Sequence, residues 1–299
     1  MFLVSYSDLY GLLGDNGSHP PIGFANANPL WFNGPNGINL APYQGAGKYL
    51  NSQAISAYSW SSVGDSNYNA FQVSVEKRVG SLNVLGAYTW SKSLDNDSDT
   101  FDEADPYNQA LSKSLSTFDM THNFVVSYLY ALPLQNLIKA RDGFLHKILD
   151  GWRLSGITRF ATGLPVTLTE SDDFSLCGCG GADRPNYTGG PINFFDPRSS
   201  ATHQYFSTDA FFKEELGVGG NANRRFFHGP GLNNTDLGLE KSTMITERAS
   251  IEFRAEFFNV FNHAQFGNPG GNISSSGSFG RVTTARAPRI GQLALKLYF

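Results

Sequence analysis

Thirteen residues, "SIEFRAEFFNVFN" (250–262), set the terms for the whole chain. Ile251, Phe253, Ala255 and Phe257 alternate there with Glu252, Arg254 and Glu256. Successive side chains of an extended strand point to opposite faces, so this segment has one oily side and one charged side. The same period of two recurs along the sequence. "AFQVSVEKR" sets Phe71, Val73 and Val75 against Gln72, Ser74 and Glu76, and "LNVLGAYTW" puts Leu82, Val84, Tyr88 and Trp90 on one face. "NFVVSYLYALP" aligns Phe124, Val126, Tyr128, Tyr130 and Leu132, "GWRLSGITRF" sets Trp152, Leu154 and Phe160 opposite Arg153, Ser155 and Arg159, and "DLGLEK" sets Leu237 and Leu239 opposite Asp236, Gly238 and Glu240. The last strand, "GQLALKLYF", carries Leu293, Leu295, Leu297 and Phe299 on one side.

A soluble lectin-like β-sandwich and a transmembrane barrel both accept this alternation, one hiding the apolar faces in a core and the other turning them to lipid. Connection lengths separate the two. Strands are expected at 70–78, 82–93, 121–132, 151–163, 233–242, 249–262 and 288–299, with one more at 52–60. The connections 79–81, 133–150 and 243–248 then fall at one end, and the longer 94–120, 164–232 and 263–287 at the other. An up-and-down outer-membrane barrel alternates shorter turns and longer loops in this way. The one awkward member is 133–150, whose "LIKARDGFLHKIL" is expected to form a short amphipathic helix at the shorter-turn rim. Trp90, Tyr128, Trp152 and Phe299 are expected at strand ends, where interfacial aromatic girdles sit, and Phe253 near the middle of the hydrocarbon. The fold class expected is all-β: an antiparallel, up-and-down transmembrane β-barrel segment.

Composition agrees. Twenty-four Phe, 13 Tyr and 4 Trp stand beside 32 Gly and only 3 Met, a balance that favours strands and turns over helices. A net charge near −4 gives no reason to expect nucleic acid as a partner. No stretch approaches the roughly 18 to 20 consecutive apolar residues of a spanning helix. The opening "MFLVSYSDLYGLLGDNG" lacks the basic n-region of a secretory signal.

Candidate chemistry is sparse. Cys177 and Cys179, one residue apart, suit neither the usual zinc spacings nor a relaxed disulfide, and are expected to be loop cysteines, with a strained bridge or a cross-link to another chain as the alternative. Histidines 19, 122, 146, 203, 228 and 263 are scattered, without a metal-ligand spacing. The acidic run 94–106, with Asp95, Asp97, Asp99, Asp102, Glu103 and Asp105, lacks the glycine and closing glutamate of an EF-hand, and is expected to be a solvated loop more readily than a calcium site. "SSSGSFG" (274–280) has no strand entering it as a nucleophile elbow requires, and "GVGGNANRR" (217–225) lacks the Lys-Ser/Thr of a phosphate loop. Glu252 and Glu256 beside Arg254 read as a wet lumen wall. No catalytic, cofactor or metal residue is expected, and the chain is expected not to be an enzyme.

Several segments resemble the C-terminal half of TonB-dependent outer-membrane receptors, in particular the Oar-like group that carries a carboxypeptidase-regulatory-like domain. They are "SNYNAFQVSVEKR" (66–78), "AYTWSKSLDN" (87–96), "FDMTHNFVVSYLYALP" (118–133), "GWRLSGI" with "TGLPVTL" (151–168), "YFSTDAFF" (205–212), "FFHGPGLNNTDLGLEK" (226–241), "FRAEFFNVFNHAQFGNP" (253–269), and "FGRV" followed by "PRIGQLALKLYF". The resemblance covers the chain from about residue 66 to its end. It implies a barrel of about 22 strands around a plug, of which residues 66–299 would supply C-terminal strands and loops and 1–65 a loop-rich N-terminal part. On this reading the chain is a fragment lacking the plug and the TonB-binding segment, so that the TonB complex acts only through missing N-terminal parts. The implied partners are outer-membrane lipid and the barrel-assembly machinery, which reads Leu293, Leu295, Leu297 and Phe299 as an assembly signal. The ligand stays open between peptide, carbohydrate and metal chelate. The alternative is a self-contained small outer-membrane barrel or adhesin.

Overall fold

The tightest connection shows how the strands are laid down. β3 (Ser66–Val79) and β4 (Leu82–Asp95) are joined by Gly80 and Ser81 alone, and Gly80 sits at φ 56°, a conformation that glycine adopts without steric cost. The computed structural model describes residues 2–5, 56–59, 64–98, 109–137, 144–172, 174–175, 183–216 and 218–299. Before this hairpin, β1 (Phe2–Ser5) pairs antiparallel with β2 (Ser56–Ser59), which lies within the strand expected at 52–60. After it come α1 (Gln109–Ser112), β5 (Ser114–Leu115), β6 (His122–Ala131), a 3-10 turn (Leu134–Leu137), α2 (Phe144–Leu149) and β7 (Trp152–Ala161). The chain continues with β8 (Asn186–Tyr187), β9 (Phe211–Phe212), β10 (Leu232–Met244), β11 (Ser250–Phe258) and β12 (Ile290–Tyr298).

Seven of these strands form one antiparallel meander in the order β3-β4-β6-β7-β10-β11-β12, with β5 paired beside β4. Residues 80–81, 132–151 and 245–249 connect them at one rim, and 96–121, 162–231 and 259–289 at the other. This is the alternation of shorter and longer connections that the sequence predicts. The strand expected over 249–262 stops at Phe258. Asn259 and Asn262 take φ 51° and 53°, and the Asn259 amide closes a turn by donating to the His263 carbonyl and accepting from its N–H. Of the expected helix, α2 and the 3-10 turn are described.

Register keeps each face continuous. One row runs through Leu82, Tyr130, Leu154, Leu239, Ala255 and Leu293, and the next through Trp152, Lys241, Phe253 and Leu295. The opposite face holds Glu76, Asn83, Ser127, Ser155, Asp236 and Glu256, which together with Leu85, Leu129, Ile157 and Phe258 line an open concavity of about 430 Å³.

Burial tells the same story. Among the described apolar residues that are buried, only Ala255 belongs to the seven-stranded meander; the others lie in the connections of the long-loop rim, including the short strands within them. Phe71, Val75, Leu293 and Leu295 on the apolar face are 58%, 62%, 71% and 67% exposed. Burying such a side chain is worth about 1.5 to 3 kcal/mol, so a row of them is left uncovered at great cost in water and at none in hydrocarbon. An exposed apolar row of this kind is what a lipid-facing strand presents.

Trp152 and Phe160, both on the apolar face of β7, are eight residues apart. That is about 26 Å along a strand, or about 20 Å across a membrane at a tilt near 40°, close to the apolar band of an outer-membrane barrel. Phe253 pairs with Lys241, which pairs with Trp152 at the start of β7, while Phe253 itself is the fourth of the nine residues of β11. Tyr128 lies in the middle, where its ring covers Gly156; a Cβ on that glycine would come 2.4 Å from the ring. A cross-strand aromatic thus fills the gap that a glycine leaves.

Candidate functional site

The polar wall is a ladder of charges. Arg153 on β7 pairs with Glu240 on β10, Glu240 lies 3.9 Å from Arg254 on β11, and Arg254 in turn bonds Glu252. Glu256 accepts from the Gln292 amide on β12. The Glu252/Arg254/Glu256 face is therefore a hydrogen-bonded wall, as its alternation predicts. On the outward side of β12 lie Leu293, Leu295, Leu297 and Phe299, 71%, 67%, 58% and 98% exposed, with only β11 as their strand's neighbour among the described residues.

Above the wall the connections 162–231 and 259–289 pack together around a cluster of rings. Phe206, fully buried, meets Phe227, Phe279 and Phe211 edge-on at centroid distances of 5.0, 5.5 and 6.1 Å, with Val166, Leu168 and Ala222 packed in the same core. Tyr187 stacks on Phe211 at 5.3 Å, and Phe226 meets Phe227 at 5.2 Å. Each pair adds about 0.5 to 1.5 kcal/mol beyond its buried area. Backbone bonds run through the same packing: the Val166 N–H donates to the Phe227 carbonyl, the Leu168 N–H to that of Arg224 and the Tyr205 N–H to that of Gly280.

Buried charges fix this layer to the strands. Arg225, 1% exposed, donates to the Leu115 carbonyl (2.6 Å) and to Ser98 Oγ (3.1 Å), and lies 3.6 Å from Asp95. Arg224 donates to the Ser112 carbonyl (2.7 Å) and lies 3.7 Å from Asp95. Asp119 accepts from the Ser93 N–H (2.6 Å), and its other oxygen is 2.8 Å from His228 Nε2. The first acidic residue of the 94–106 run is thus not solvated: Asp95 is 2% exposed and neutralised by two arginines. Asp99, Asp102, Glu103 and Asp105 lie outside the described residues, as do Cys177 and Cys179. The stretch over 217–225 supplies Ala222, Arg224 and Arg225 to the interior, and in 274–280 Phe279 joins the ring cluster while Ser274 Oγ donates to Asp172.

A second charged group lies deeper in the layer. Glu170, Asp183 and Glu214 are 0%, 6% and 5% exposed. The Glu214 carboxyl lies within hydrogen-bond reach of the other two, and burial together with those neighbours pushes it up to about 9. Lys213 bonds Asp172 and lies 3.6 Å from Glu170; the ammonium holds the Asp172 carboxyl below its usual range. Among the described residues no group of three or more His, Cys, Asp or Glu side chains is arranged to hold a metal ion. The acid group is accordingly read through its proton. Folded, Glu214 keeps that proton up to about pH 9; unfolded, it loses it near 4.5, so folding takes up a proton across this window. Stability of the loop layer is expected to fall as pH rises through it, and Glu214→Gln to flatten the dependence, as read by protease cleavage of the long loops between pH 5 and 9. Equal slopes for the two proteins would remove Glu214 as the cause.

Arg224, Arg225, Asp119, His228, Glu170 and Glu214 escape sequence reasoning, since their partners lie up to about 130 residues away. The one visible sign is "NRRFFHGPG" (223–231), an arginine pair set against aromatics in a connection. A family model for the outer membrane beta barrel domain matches residues 10–292. Comparison with curated proteins finds no match.

Proposed function

The chain belongs to the outer membrane beta barrel domain family and sits in the outer membrane, and from that premise we propose that it forms the ligand-facing wall of a receptor and transporter of the TonB-dependent, Oar-like kind. The observation that carries this reading is the loop layer. A ring cluster and buried arginines tie the three long connections together above a concave wall of charged, polar and a few apolar side chains, which suits a preformed ligand vestibule. Specificity then resides in the exposed surface of residues 162–231, and the charge ladder below offers a polar path. The protein acts by binding and passage, not by catalysis.

Lipid is the partner of the apolar face. β3 and β12 each have an unpaired edge among the described residues, and backbone groups left unpaired in hydrocarbon cost several kcal/mol each. We assign them to further strands of a barrel of about 22. Leu293, Leu295, Leu297 and Phe299 are the strand offered to the barrel-assembly machinery, and coupling to the TonB complex runs through plug and TonB-binding segments N-terminal to this wall. The test is uptake of labelled peptides, oligosaccharides and metal chelates by cells with and without the protein, before and after an uncoupler. At least one uptake rate should depend on both. Uptake that is indifferent to the protein or to the uncoupler would instead favour the small barrel or adhesin.

A further inference from the structure

We propose that α2 is a membrane-surface element: its last turn lies outside the barrel wall, at the headgroups of the periplasmic leaflet, where Ile148 meets phospholipid acyl chains. The inference rests on the outer-membrane placement of the sheet. It follows from which residues hold the helix. Trp152 and Lys241 face each other across β7 and β10, and both belong to the apolar, outward face. Trp152 Nε1 donates to the Ile148 carbonyl at 2.8 Å, and Lys241 Nζ donates to the carbonyls of Lys147 (2.8 Å) and Asp150 (2.7 Å). The same ammonium stands 5.5 Å from the centre of a Trp152 ring.

The last carbonyls of a helix have no partners within it. Here the ones from Lys147 and Ile148 are taken by two side chains that point away from the lumen, which draws the helix end over the outer side of the wall. Gly151 makes the fold-back possible. It sits at φ 76°, its carbonyl accepts from the Ser242 N–H at 3.1 Å, and a Cβ there would come 2.2 Å from the Ser242 carbonyl oxygen.

The occupant follows from continuity and charge. Ile148 is 40% exposed although apolar, and it adjoins a face already assigned to lipid. Lys147 is exposed beside it, and with Lys241 and the Trp152 indole it composes the lysine and tryptophan belt that suits the phosphate level of a phospholipid leaflet.

The probe is a bimane fluorophore on Ile148→Cys, in the full chain carrying Cys177→Ser and Cys179→Ser, folded into phosphatidylethanolamine/phosphatidylglycerol vesicles with brominated acyl chains. Loss of most of the fluorescence is expected, as at a Leu237→Cys control on the lipid face, with little loss at Ser155→Cys on the lumen wall. Lys241→Met should free the helix end and reduce quenching at 148 while leaving that at 237 intact. Quenching at 148 no greater than at 155, with 237 quenched, would overturn the proposal. Absence of quenching at 237 as well would instead remove the lipid face on which it rests.

Discussion

Leu237→Arg is expected to cost about 2 to 4 kcal/mol of barrel stability, the value for an arginine facing lipid at mid-membrane, while Phe253→Arg costs about 0 to 1 kcal/mol. Both residues are apolar, outward and on neighbouring strands, so hydrophobicity does not separate them. Depth does. Leu237 pairs with Gly156, midway along β7 between Trp152 and Phe160, whereas Phe253 pairs with Lys241, which itself pairs with Trp152 at the short-turn end of β7. An arginine at 253 reaches the headgroups as Lys241 does, and one at 237 has about 10 Å of hydrocarbon on either side. Ser155→Arg, next to Gly156 but on the wall facing the lumen, should be tolerated. Urea unfolding from vesicles, followed by heat-modifiable mobility, reads all three. Equal losses at 237 and 253 would mean that the band has been placed at the wrong height.

The contrast also marks what the sequence carries. Alternation names the outward set, because a period of two is local: Leu237, Phe253, Trp152 and Phe160 are each assigned to the apolar face from their immediate neighbours. Height in the membrane is not local. It depends on strand-to-strand register together with tilt, and register is fixed by turns such as Gly80-Ser81 and by the early end of β11 at Asn259, so alternation assigns Phe253 and Tyr128 to the apolar face without giving their height. The glycine at 156 gives no sign that a ring from β6 will cover it. The loop layer is less legible still. Its apolar residues show no period, because irregular backbone sends side chains inward at uneven intervals, and the arginines that anchor it reach acceptors more than a hundred residues away. An acidic run such as 94–106 resembles solvated loop in composition whether or not one member, Asp95, is buried against two guanidinium groups.

That burial gives the largest effect expected in the molecule. Arg225→Ala should destabilise the loop layer by about 3 to 5 kcal/mol, the range for removing one partner of a buried, hydrogen-bonded charge group. The guanidinium is 1% exposed and serves several segments at once: the Leu115 carbonyl, the Ser98 and Ser114 hydroxyls and the Asp95 carboxylate. Truncation leaves these acceptors buried without that donor. Arg225→Met, which keeps most of the volume, should recover little, because the loss is of hydrogen bonds and charge rather than of packing. Protease added to intact cells should therefore cut residues 183–212 in both variants, while the strands keep their heat-modifiable mobility, since Asp95, Ser98, Ser114 and Leu115 lie at or beyond the long-loop end of β4. Arg198→Ala supplies the comparison. Its ion pair with Asp196 belongs to the same layer but is exposed, so cleavage should match that of the unaltered chain. Cleavage in the Arg198 variant equal to that in the Arg225 variants would show that the layer is held by nothing specific to the buried arginine, and the rigid vestibule would lose its support.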